Sequence, residues 1–272
     1  MCRWLAYTGV PIAMDTLLFQ PRNSLIRQSL SAQRSVVPTN GDGFGLGWYG
    51  DLPRPGLYRD TMPAWSDANL RSLSEQIRSP LFFAHVRAST GTATARLNCH
   101  PFRYGDWLFM HNGQIGGWPM VRQDVEGAIR RDLYRHREGS TDSEAFFYLA
   151  LGNGLEEDPQ SAFALTIAQI MGMMRKENVD EPFRMTAACS NGRQLYALRW
   201  SSDGKSPSLY WASGHVGGCR DGRLNLEGGK DGVLVLSEPL DEDSAHWTEV
   251  AESSLLVAEK GRVDVFPINP LG

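Results

Sequence analysis

The chain has 272 residues, of which 42% are hydrophobic and 21% charged, and its net charge is -4. This composition is typical of a globular protein, and the slight acidic excess argues against a nucleic-acid-binding surface. No segment approaches the roughly 20 consecutive apolar residues that span a bilayer, so no membrane contact is expected. The four cysteines are widely spaced and no secretory signal opens the sequence, which favours the reducing cytoplasm.

Short runs rich in aliphatic and aromatic residues predict eight strands. Several of these runs are bounded by Gly, Asn, Asp or Pro, and the Asn191-Gly192 pair between two of them is typical of a hairpin turn. The predicted strands are Cys2–Thr8, Leu81–Ser89, Trp107–Met110, Met185–Ser190, Gln194–Trp200, Ser208–Ala212, Gly232–Leu236 and Ser254–Glu259.

Four segments have helical patterns. Apolar residues recur every four positions in Val121–Arg137. Thr141-Asp142-Ser143-Glu144 has the form of a capping box, and Asp158-Pro159 places a cap residue before a proline at the first helical position. The predicted helices are Asp67–Arg78, Val121–Arg137, a segment starting at Thr141 and a segment from Asp158 to Met174.

The order of elements lacks the regular strand–helix alternation of a parallel sheet. It indicates an α+β protein in which mostly antiparallel sheets are covered by helices in outer layers. The Gly- and Asp-rich stretch Gly214–Gly232 is expected to be a long loop. No linker is evident, so residues 1–272 are expected to form a single domain.

The second residue of the chain is a cysteine, in the opening run Met1-Cys2-Arg3. Removal of Met1, which is usual before a small side chain, leaves a thiol and a free α-amine on one residue. A thiolate attacks carbonyl carbons well, and an α-amine with a pKa of about 7.7–8.0 accepts a proton near neutral pH. Cys2 is therefore a candidate nucleophile, and an inert buried cysteine is the alternative.

Glycine alternates with large residues over Asn40–Gly50. This pattern weakens a strand but lets another backbone or a ligand approach closely, and a simple tight turn fits it equally well. An arginine, Arg87, follows the apolar run Leu81–Ala84. Its planar guanidinium suits a carboxylate held by two hydrogen bonds, with a structural salt bridge as the alternative.

His111-Asn112-Gly113 follows the strand predicted at Trp107–Met110. An Asn-Gly pair normally marks a turn. It also presents a side-chain amide beside an unobstructed backbone N–H, and two such donors are typical of an oxyanion hole. Farther along the chain, capping accounts for Thr141 and Glu144, and it leaves Asp142 available to bind a cation such as an α-ammonium group.

Two other kinds of catalytic site are not expected. The spacing of His85, His100, His111 and Cys99 matches neither an HExxH motif nor a zinc finger, so no metal site is predicted. A GxSxG nucleophile elbow is absent from the sequence.

In this order, the clusters resemble the glutamine-hydrolysing domain of the class II glutamine amidotransferases, which are N-terminal nucleophile hydrolases. Cys2 matches the mature N-terminal cysteine of that family, and Gly41–Gly45 matches its glycine-rich segment. The stretch from Arg87 to Thr90 resembles the motif that grips the α-carboxylate of the substrate. The remaining matches are Asn98–Phe102 to an Asn-Ala-(His/Gln)-Pro stretch, His111–Gly113 to the oxyanion-hole motif and Asp142 to the aspartate that holds the α-amino group.

The resemblance is good over residues 1–155 and holds only in outline beyond them. It implies a four-layer αββα sandwich that hydrolyses a γ-glutamyl amide through a thioester, without a cofactor or metal. Cys2, Asn112 and Gly113 would be catalytic residues. Arg87, Thr90 and Asp142 would bind the substrate.

The rest of the chain looks too short and too strand-rich for the ammonia-using domain of biosynthetic family members. The chain therefore resembles the stand-alone branch, similar to the γ-glutamyl amidohydrolases of ergothioneine biosynthesis. Ser237-Glu238-Pro239-Leu240 resembles a late motif of that branch, and the sequence assigns it no role.

Three alternatives remain open at this stage. One is a hydrolase of another acyl amide, which would not need Arg87 and Asp142 together. Another is a glutaminase subunit that supplies ammonia to a separate synthase. The third is a non-catalytic module that binds an amino acid.

Overall fold

The structure is a computed structural model that describes residues 2–31, 39–89, 93–229 and 231–270. The strands are β1 Arg3–Ala13, β2 Phe44–Tyr49, β3 Gly56–Asp60, β4 Arg78–Val86, β5 Phe102–Tyr104, β6 Trp107–Gln114, β7 Arg184–Ser190, β8 Leu195–Ser201, β9 Tyr210–Ser213, β10 His215–Arg220, β11 Arg223–Glu227, β12 Gly232–Leu236, β13 Thr248–Glu249, β14 Ser254–Glu259 and β15 Arg262–Pro267. The helices are α1 Asp15–Leu18, α2 Leu25–Leu30, α3 Ala68–Gln76, α4 Trp118–Ala128, α5 Arg131–Tyr134, α6 Asp142–Gly152 and α7 Pro159–Lys176.

Two large sheets form the centre of the protein. One has seven strands in the order β13-β9-β12-β1-β4-β2-β3, and the other has six in the order β15-β14-β8-β7-β6-β5. Each neighbouring pair of strands in these two sheets is antiparallel. The predicted α+β class with mostly antiparallel sheets is confirmed.

Three apolar cores separate four layers, as the αββα prediction requires. The helices α1, α2 and α3 cover the outer face of the seven-stranded sheet, and α4 to α7 cover that of the six-stranded sheet. The third core lies between the sheets and contains Trp4, Ala6, Phe83, Leu108 and Met110.

Strand alternation places the candidate residues. Successive side chains of a strand point to opposite faces, so residues two apart share a face. Cys2 is in step with Trp4 and Ala6, and Asn112 is in step with Leu108 and Met110. The sequence therefore directs Cys2 and Asn112 into the same space between the sheets, from opposite sides.

The helix caps predicted at Thr141 and Asp158 are confirmed, and Asp67, which was predicted only to begin a helix, is a third cap. Asp67, Thr141 and Asp158 each accept a hydrogen bond from a backbone N–H in the first turn of α3, α6 and α7 respectively. These bonds satisfy N–H groups that have no partner inside the helix.

Two predicted elements need correction. The helix predicted over Val121–Arg137 is two helices, because Ile129 and Arg130 are extended between α4 and α5. Ile129 remains buried there, so the apolar spacing continued across a helix break. The loop predicted over Gly214–Gly232 contains a hairpin, β10 and β11, whose Val216 and Leu224 pack on the outer core beside α2.

Across the portion of the chain that the structure describes, no helix combines the length and the apolar character needed to cross a membrane.

Candidate active site between the two sheets

Cys2 lies immediately before β1, beside the end of β4. The backbone N–H of Ala88 donates to its Sγ at 3.4 Å, and Sγ lies 3.5 Å from the carbonyl oxygen of Ala88. Burial raises the pKa of the Cys2 thiol, while the Ala88 N–H and the guanidinium groups of Arg87 and Arg3 act in the opposite direction. The thiol is therefore protonated at rest and needs a base to become nucleophilic.

Asn112 and Gly113 lie near the end of β6. The Asn112 side chain is 1% exposed, and neither of its polar atoms has a hydrogen-bond partner among the described residues. Gly113 has φ +147°, and a Cβ there would collide with the carbonyl oxygen of Arg184. An unpaired buried amide is costly in a core, so Asn112 is a candidate functional residue. It lies within β6 and not in the turn that an Asn-Gly pair normally marks.

Two hydrogen bonds between the sheets join the Cys2 and Asn112 corners. The indole N–H of Trp4 donates to Thr186 Oγ1 at 3.2 Å, and Thr186 is the residue opposite Asn112 in the β6–β7 pair. The Nε2 of His85, on β4, lies 3.1 Å from the carbonyl oxygen of His111. The beginning of β1, the end of β4 and the end of β6 therefore meet at one place.

Arg87 lies just beyond β4 and is 3% exposed. Its guanidinium contacts the carbonyl oxygen of Asp42 at 3.3 Å and Ser89 Oγ at 3.2 Å. The Asp42 carboxylate in turn accepts from the Ser89 N–H at 2.8 Å. Asp42 thus shapes the turn that carries Arg87, a role that the sequence did not reveal.

Asp142 is the first residue of α6 and is partly exposed. One carboxylate oxygen accepts from the Ile115 N–H at 2.9 Å, and the other accepts from the Ser143 N–H at 2.8 Å. Ile115 follows β6 by one residue, so this pair fixes the start of α6 to the end of the strand that carries Asn112.

A chain of hydrogen bonds leads from Arg87 to the loop just before Asp142. The carbonyl oxygen of Ala93 accepts from Arg87 at 3.4 Å and from the Asn98 amide at 2.9 Å. Asn98 Oδ1 accepts from the N–H of Ser140, two residues before Asp142, at 2.9 Å. Thr90, the other predicted substrate-binding residue, lies outside the described residues.

The glycine-rich strand β2 makes room for the segment that contains His100 and Pro101. A Cβ on Gly45 would collide with the carbonyl oxygen of His100, and one on Gly47 would lie 2.8 Å from both Pro101 and Leu108. Of the two sequence interpretations, close approach of another backbone is found at Gly45, while Gly47 makes room for side chains.

Glu144 corrects the predicted capping box. Thr141 Oγ1 accepts from the Glu144 N–H at 3.1 Å, as predicted. The Glu144 carboxylate, however, accepts from the N–H groups of Glu138 and Gly139 at 2.9 and 2.8 Å instead of returning to Thr141. It therefore holds the loop that leads into α6.

Three buried histidines lie around the site. Burial lowers the pKa of His85 to about 3 and also lowers the pKa values of His100 and His111. The rings of His85 and His100 stack with their centroids 4.2 Å apart, and His111 Nδ1 lies 2.8 Å from Ser143 Oγ. These imidazoles are neutral near pH 7, so the positive side chains that act on the Cys2 thiol are Arg87 and Arg3.

A cleft of about 640 Å³ lies elsewhere on the surface. It runs between the edge strands β3 and β5, and its walls include Arg59, Arg103 and Tyr148. Cys2, Arg87, Asn112 and Asp142 do not line it. The candidate site is therefore defined by converging polar groups and not by the size of this cavity.

The sequence of this chain is similar to those of several known proteins. Residues 21–204 match the profile of the family described as "Glutamine amidotransferases class-II". The chain is 33% identical to the Saccharomyces cerevisiae protein named "Probable glutamine amidotransferase DUG3", over 98% of this chain and 84% of that protein. It is 27% identical to the gamma-glutamyl-hercynylcysteine sulfoxide hydrolase of Mycolicibacterium smegmatis, over 98% and 100% of the two chains.

Solved structures agree with these matches. A glutamine aminotransferase class-II domain protein from Silicibacter pomeroyi superimposes with a TM-score of 0.77 and 37% identity, over 100% of both chains. A glutamine phosphoribosylpyrophosphate amidotransferase from B. subtilis, at 15% identity and a TM-score of 0.61, shares the fold. The present chain belongs to the class II glutamine amidotransferases and is an enzyme of the amidohydrolase type.

Proposed function

We propose that this protein hydrolyses a γ-glutamyl amide, with Cys2 as the nucleophile and a γ-glutamyl thioester as the intermediate. The reactive form would begin with Cys2 after removal of Met1, so that the α-amine is the base. In this proposal, residues 1–272 form one catalytic domain. The pairing of β12 with β1, beside Cys2, supports this because it joins distant parts of the chain in one sheet.

In the first half of the reaction, the α-amine of Cys2 takes the thiol proton and the sulfur attacks the γ-carbonyl carbon. The carbonyl π electrons move to oxygen, and the Asn112 amide and the Gly113 N–H stabilise the oxyanion. As the C–N bond breaks, the protonated α-amine gives its proton to the leaving nitrogen.

In the second half, water attacks the thioester carbonyl and gives a proton to the α-amine. The same two donors stabilise the second oxyanion. When the C–S bond breaks, glutamate leaves and the sulfur regains its proton, which restores the starting state. The balance needs no oxidant, reductant or external acid.

Arg87 and Asp142 are proposed to bind the two charged groups of the glutamyl head. Arg87 is suited to the α-carboxylate because a guanidinium forms paired hydrogen bonds with carboxylates. Asp142 is suited to the α-ammonium group because its carboxylate is negatively charged and partly exposed at the beginning of α6. Binding both groups orients the γ-carbonyl, which converts an intermolecular attack into an effectively intramolecular one.

The observation that carries the proposal is that Cys2 and the buried Asn112 amide lie at the same end of the space between the sheets, where Trp4 and His85 bond across to Thr186 and His111. The Asn112 amide has no partner among the described residues.

A bile-salt or penicillin type of acyl-amide hydrolase would not need both Arg87 and Asp142. The hydrogen bonds that lead from Arg87 through Ala93 and Asn98 to Ser140, two residues before Asp142, support their use together and so favour a γ-glutamyl substrate.

Cys2→Ala tests the mechanism. We expect this variant to fold normally and to lose release of glutamate from glutamine and from a panel of γ-glutamyl compounds. Cys219→Ser is the matched control, because Cys219 is also a partly exposed free cysteine but lies on the β10–β11 hairpin. Full activity in Cys2→Ala would contradict the proposed nucleophile.

The same assay separates the two remaining alternatives. An ammonia-supplying subunit would hydrolyse glutamine well only with its synthase present. A binding module would bind glutamine without turnover and would retain Met1 in an intact-mass measurement.

A further inference from the structure

We propose that Arg3 and Glu238 are positioning residues for Cys2: their ion pair fixes the Cys2 carbonyl group and thereby orients the residue that carries the nucleophile. This inference rests on the function proposed above. It also gives a role to the Ser237-Glu238-Pro239-Leu240 motif.

The ion pair is buried and tightly bonded. Each side chain is 2% exposed, and the Arg3 Nε and Nη2 atoms lie 2.7 and 2.6 Å from Glu238 Oε1. Removing two charges from water costs free energy that offsets most of their attraction, so a buried ion pair contributes little net stability. A role beyond stability is therefore the better explanation of this pair.

A third nitrogen of the same guanidinium reaches the proposed nucleophile residue. Arg3 Nη1 donates to the carbonyl oxygen of Cys2 at 2.9 Å. Because a guanidinium is planar and rigid, the hydrogen bond of Nε and the ion-pair contact of Nη2 with Glu238 Oε1 also set the direction of the Nη1–H. The position of Glu238 therefore determines the orientation of the Cys2 carbonyl group, and with it the orientation of the amine and the side chain on the Cys2 Cα.

Glu238 is itself held by the outer layer of the protein. The Gln28 amide, on α2, donates to the carbonyl oxygen of Glu238 at 3.2 Å. The Asn23 side chain and backbone donate to the carbonyl oxygens of Pro239 and Leu240 at 2.6 and 3.0 Å. The motif is thus a fixed support beneath the beginning of β1.

The Ser237–Leu240 motif contacts β1 beyond the point where the pairing of β1 with β12 ends. The register between β1 and β12 stops at Leu5 and Leu236. Ser237 extends it by one step, since its N–H donates to the Trp4 carbonyl and its hydroxyl accepts from the Trp4 N–H at 3.0 and 3.1 Å. One residue before Trp4, the Arg3 side chain makes the next contact between β1 and the motif, at Glu238.

The charge of Arg3 has a second effect. Its guanidinium lowers the pKa of the Cys2 thiol and so opposes the effect of burial. Loss of Arg3 should therefore slow thiolate formation as well as misplace the sulfur. The two effects are separable, because one follows charge and the other follows geometry.

The test is the double variant Arg3→Met/Glu238→Met, which replaces the ion pair with apolar side chains of similar length. Such replacements of buried ion pairs are often neutral or stabilising, so the variant should fold. We expect kcat to fall about 100-fold, the size of loss that a small misplacement of a reacting group causes. KM should stay within a few-fold of the wild type, because the residues proposed to bind substrate are untouched.

Alkylation of Cys2 by iodoacetamide, followed as a function of pH, gives a readout that a merely structural role would not move. In the double variant, the apparent pKa of the Cys2 thiol should rise. Arg3→Lys keeps the charge but cannot bond to Glu238 and the Cys2 carbonyl in one plane. It should therefore retain the wild-type alkylation profile and still lose kcat.

Arg199→Met is the matched control. Arg199 also donates to a glutamate, Glu249, and to a backbone carbonyl, that of Val250, but it lies on β8 and its carbonyl partner is not in the segment that holds Cys2. We expect its kcat and alkylation profile to be unchanged. If Cys2→Ala is inactive, a wild-type kcat in Arg3→Lys or in a folded double variant would overturn the positioning role. An active Cys2→Ala would instead overturn the proposed function.

Discussion

The space between the two sheets has two contrasting regions. Over most of its length it is an apolar core of residues such as Ala6, Phe83, Met110 and Val235. At the end where β1 begins, the same strand faces carry Cys2, His85, Arg87 and Asn112, and buried polar atoms there have no partner among the described residues. The strands continue unchanged in direction, so the change from core to site is made by side chains alone.

This contrast explains how the site can be rigid and polar at once. The apolar region holds the two sheets together, and Cys2 and Asn112 lie on facing sheets at its polar end.

Asn112→Ala should lower kcat about 10²–10³-fold, which is the cost of losing one oxyanion donor. Steady-state kinetics would show this with little change in KM. Asn191→Ala, in the β7–β8 turn, is the control and should keep wild-type kcat. A kcat within a few-fold of wild type in Asn112→Ala would place the oxyanion donors elsewhere.

Asp142→Asn should raise KM for a γ-glutamyl substrate about 10–100-fold, because a hydrogen bond to a charged group is worth about 1.5–3 kcal/mol. The amide keeps the shape of the carboxylate, so kcat should change less than KM. Asp158→Asn is the control, since asparagine is also a good cap for α7. An unchanged KM in Asp142→Asn would contradict the proposed ammonium site.

Gly113→Ala should lower the free energy of unfolding by about 1–3 kcal/mol, because the left-handed backbone and the Arg184 carbonyl leave no room for a Cβ. Gly127→Ala is the matched control. A Cβ at Gly127, inside α4, would meet nothing within 4 Å, so this variant should gain about 0.5–1 kcal/mol. Denaturant unfolding of both variants gives the comparison, and equal stability of the two would refute the strain at Gly113.

The buried histidines should make stability depend on pH. The pKa of each of His85, His100 and His111 is lower in the folded protein than in the unfolded chain. The unfolded chain therefore binds protons first as the pH falls below about 6.5, and stability falls with it, by up to about 1.4 kcal/mol per pH unit for each histidine. The effect on stability extends down to the folded pKa, which is about 3 for His85.

Urea unfolding at pH 7.0, 6.0 and 5.0 measures this slope. His100→Gln removes one of the three groups, so its stability should fall less steeply than that of the wild type. A stability that does not change between pH 7.0 and 5.0 would show that these histidines titrate normally in the folded protein.

The sequence predicted most central elements because their signals are local, whereas the four layers followed from the family resemblance. Apolar strand runs, the cap residues Thr141 and Asp158 and the Asn191-Gly192 turn each act within a few positions of the chain. The hairpin at β10 and β11 was predicted as a loop because glycine and aspartate outnumber apolar residues there. Its few apolar side chains, such as Val216 and Leu224, are buried only because they pack on the outer core, which a local sequence pattern does not reveal.

The candidate site was predicted in its residues but not in its supports. The resemblance identified Cys2, Asn112 and Asp142. No local pattern links Arg3 to Glu238, because they are far apart in the chain and meet only when β12 pairs with β1. The contact of Asp42 with the turn that carries Arg87 likewise depends on the pairing of β2 with β4.

The most direct test of the account is the mass of the acid-quenched enzyme during turnover of a γ-glutamyl amide. A γ-glutamyl group found on the peptide that begins with Cys2, absent in Cys2→Ala and unaffected in Cys219→Ser, is the predicted result. Turnover with no acyl group on that peptide, or an acyl group on another cysteine, would contradict the claim that the polar end of the inter-sheet space is where acylation occurs.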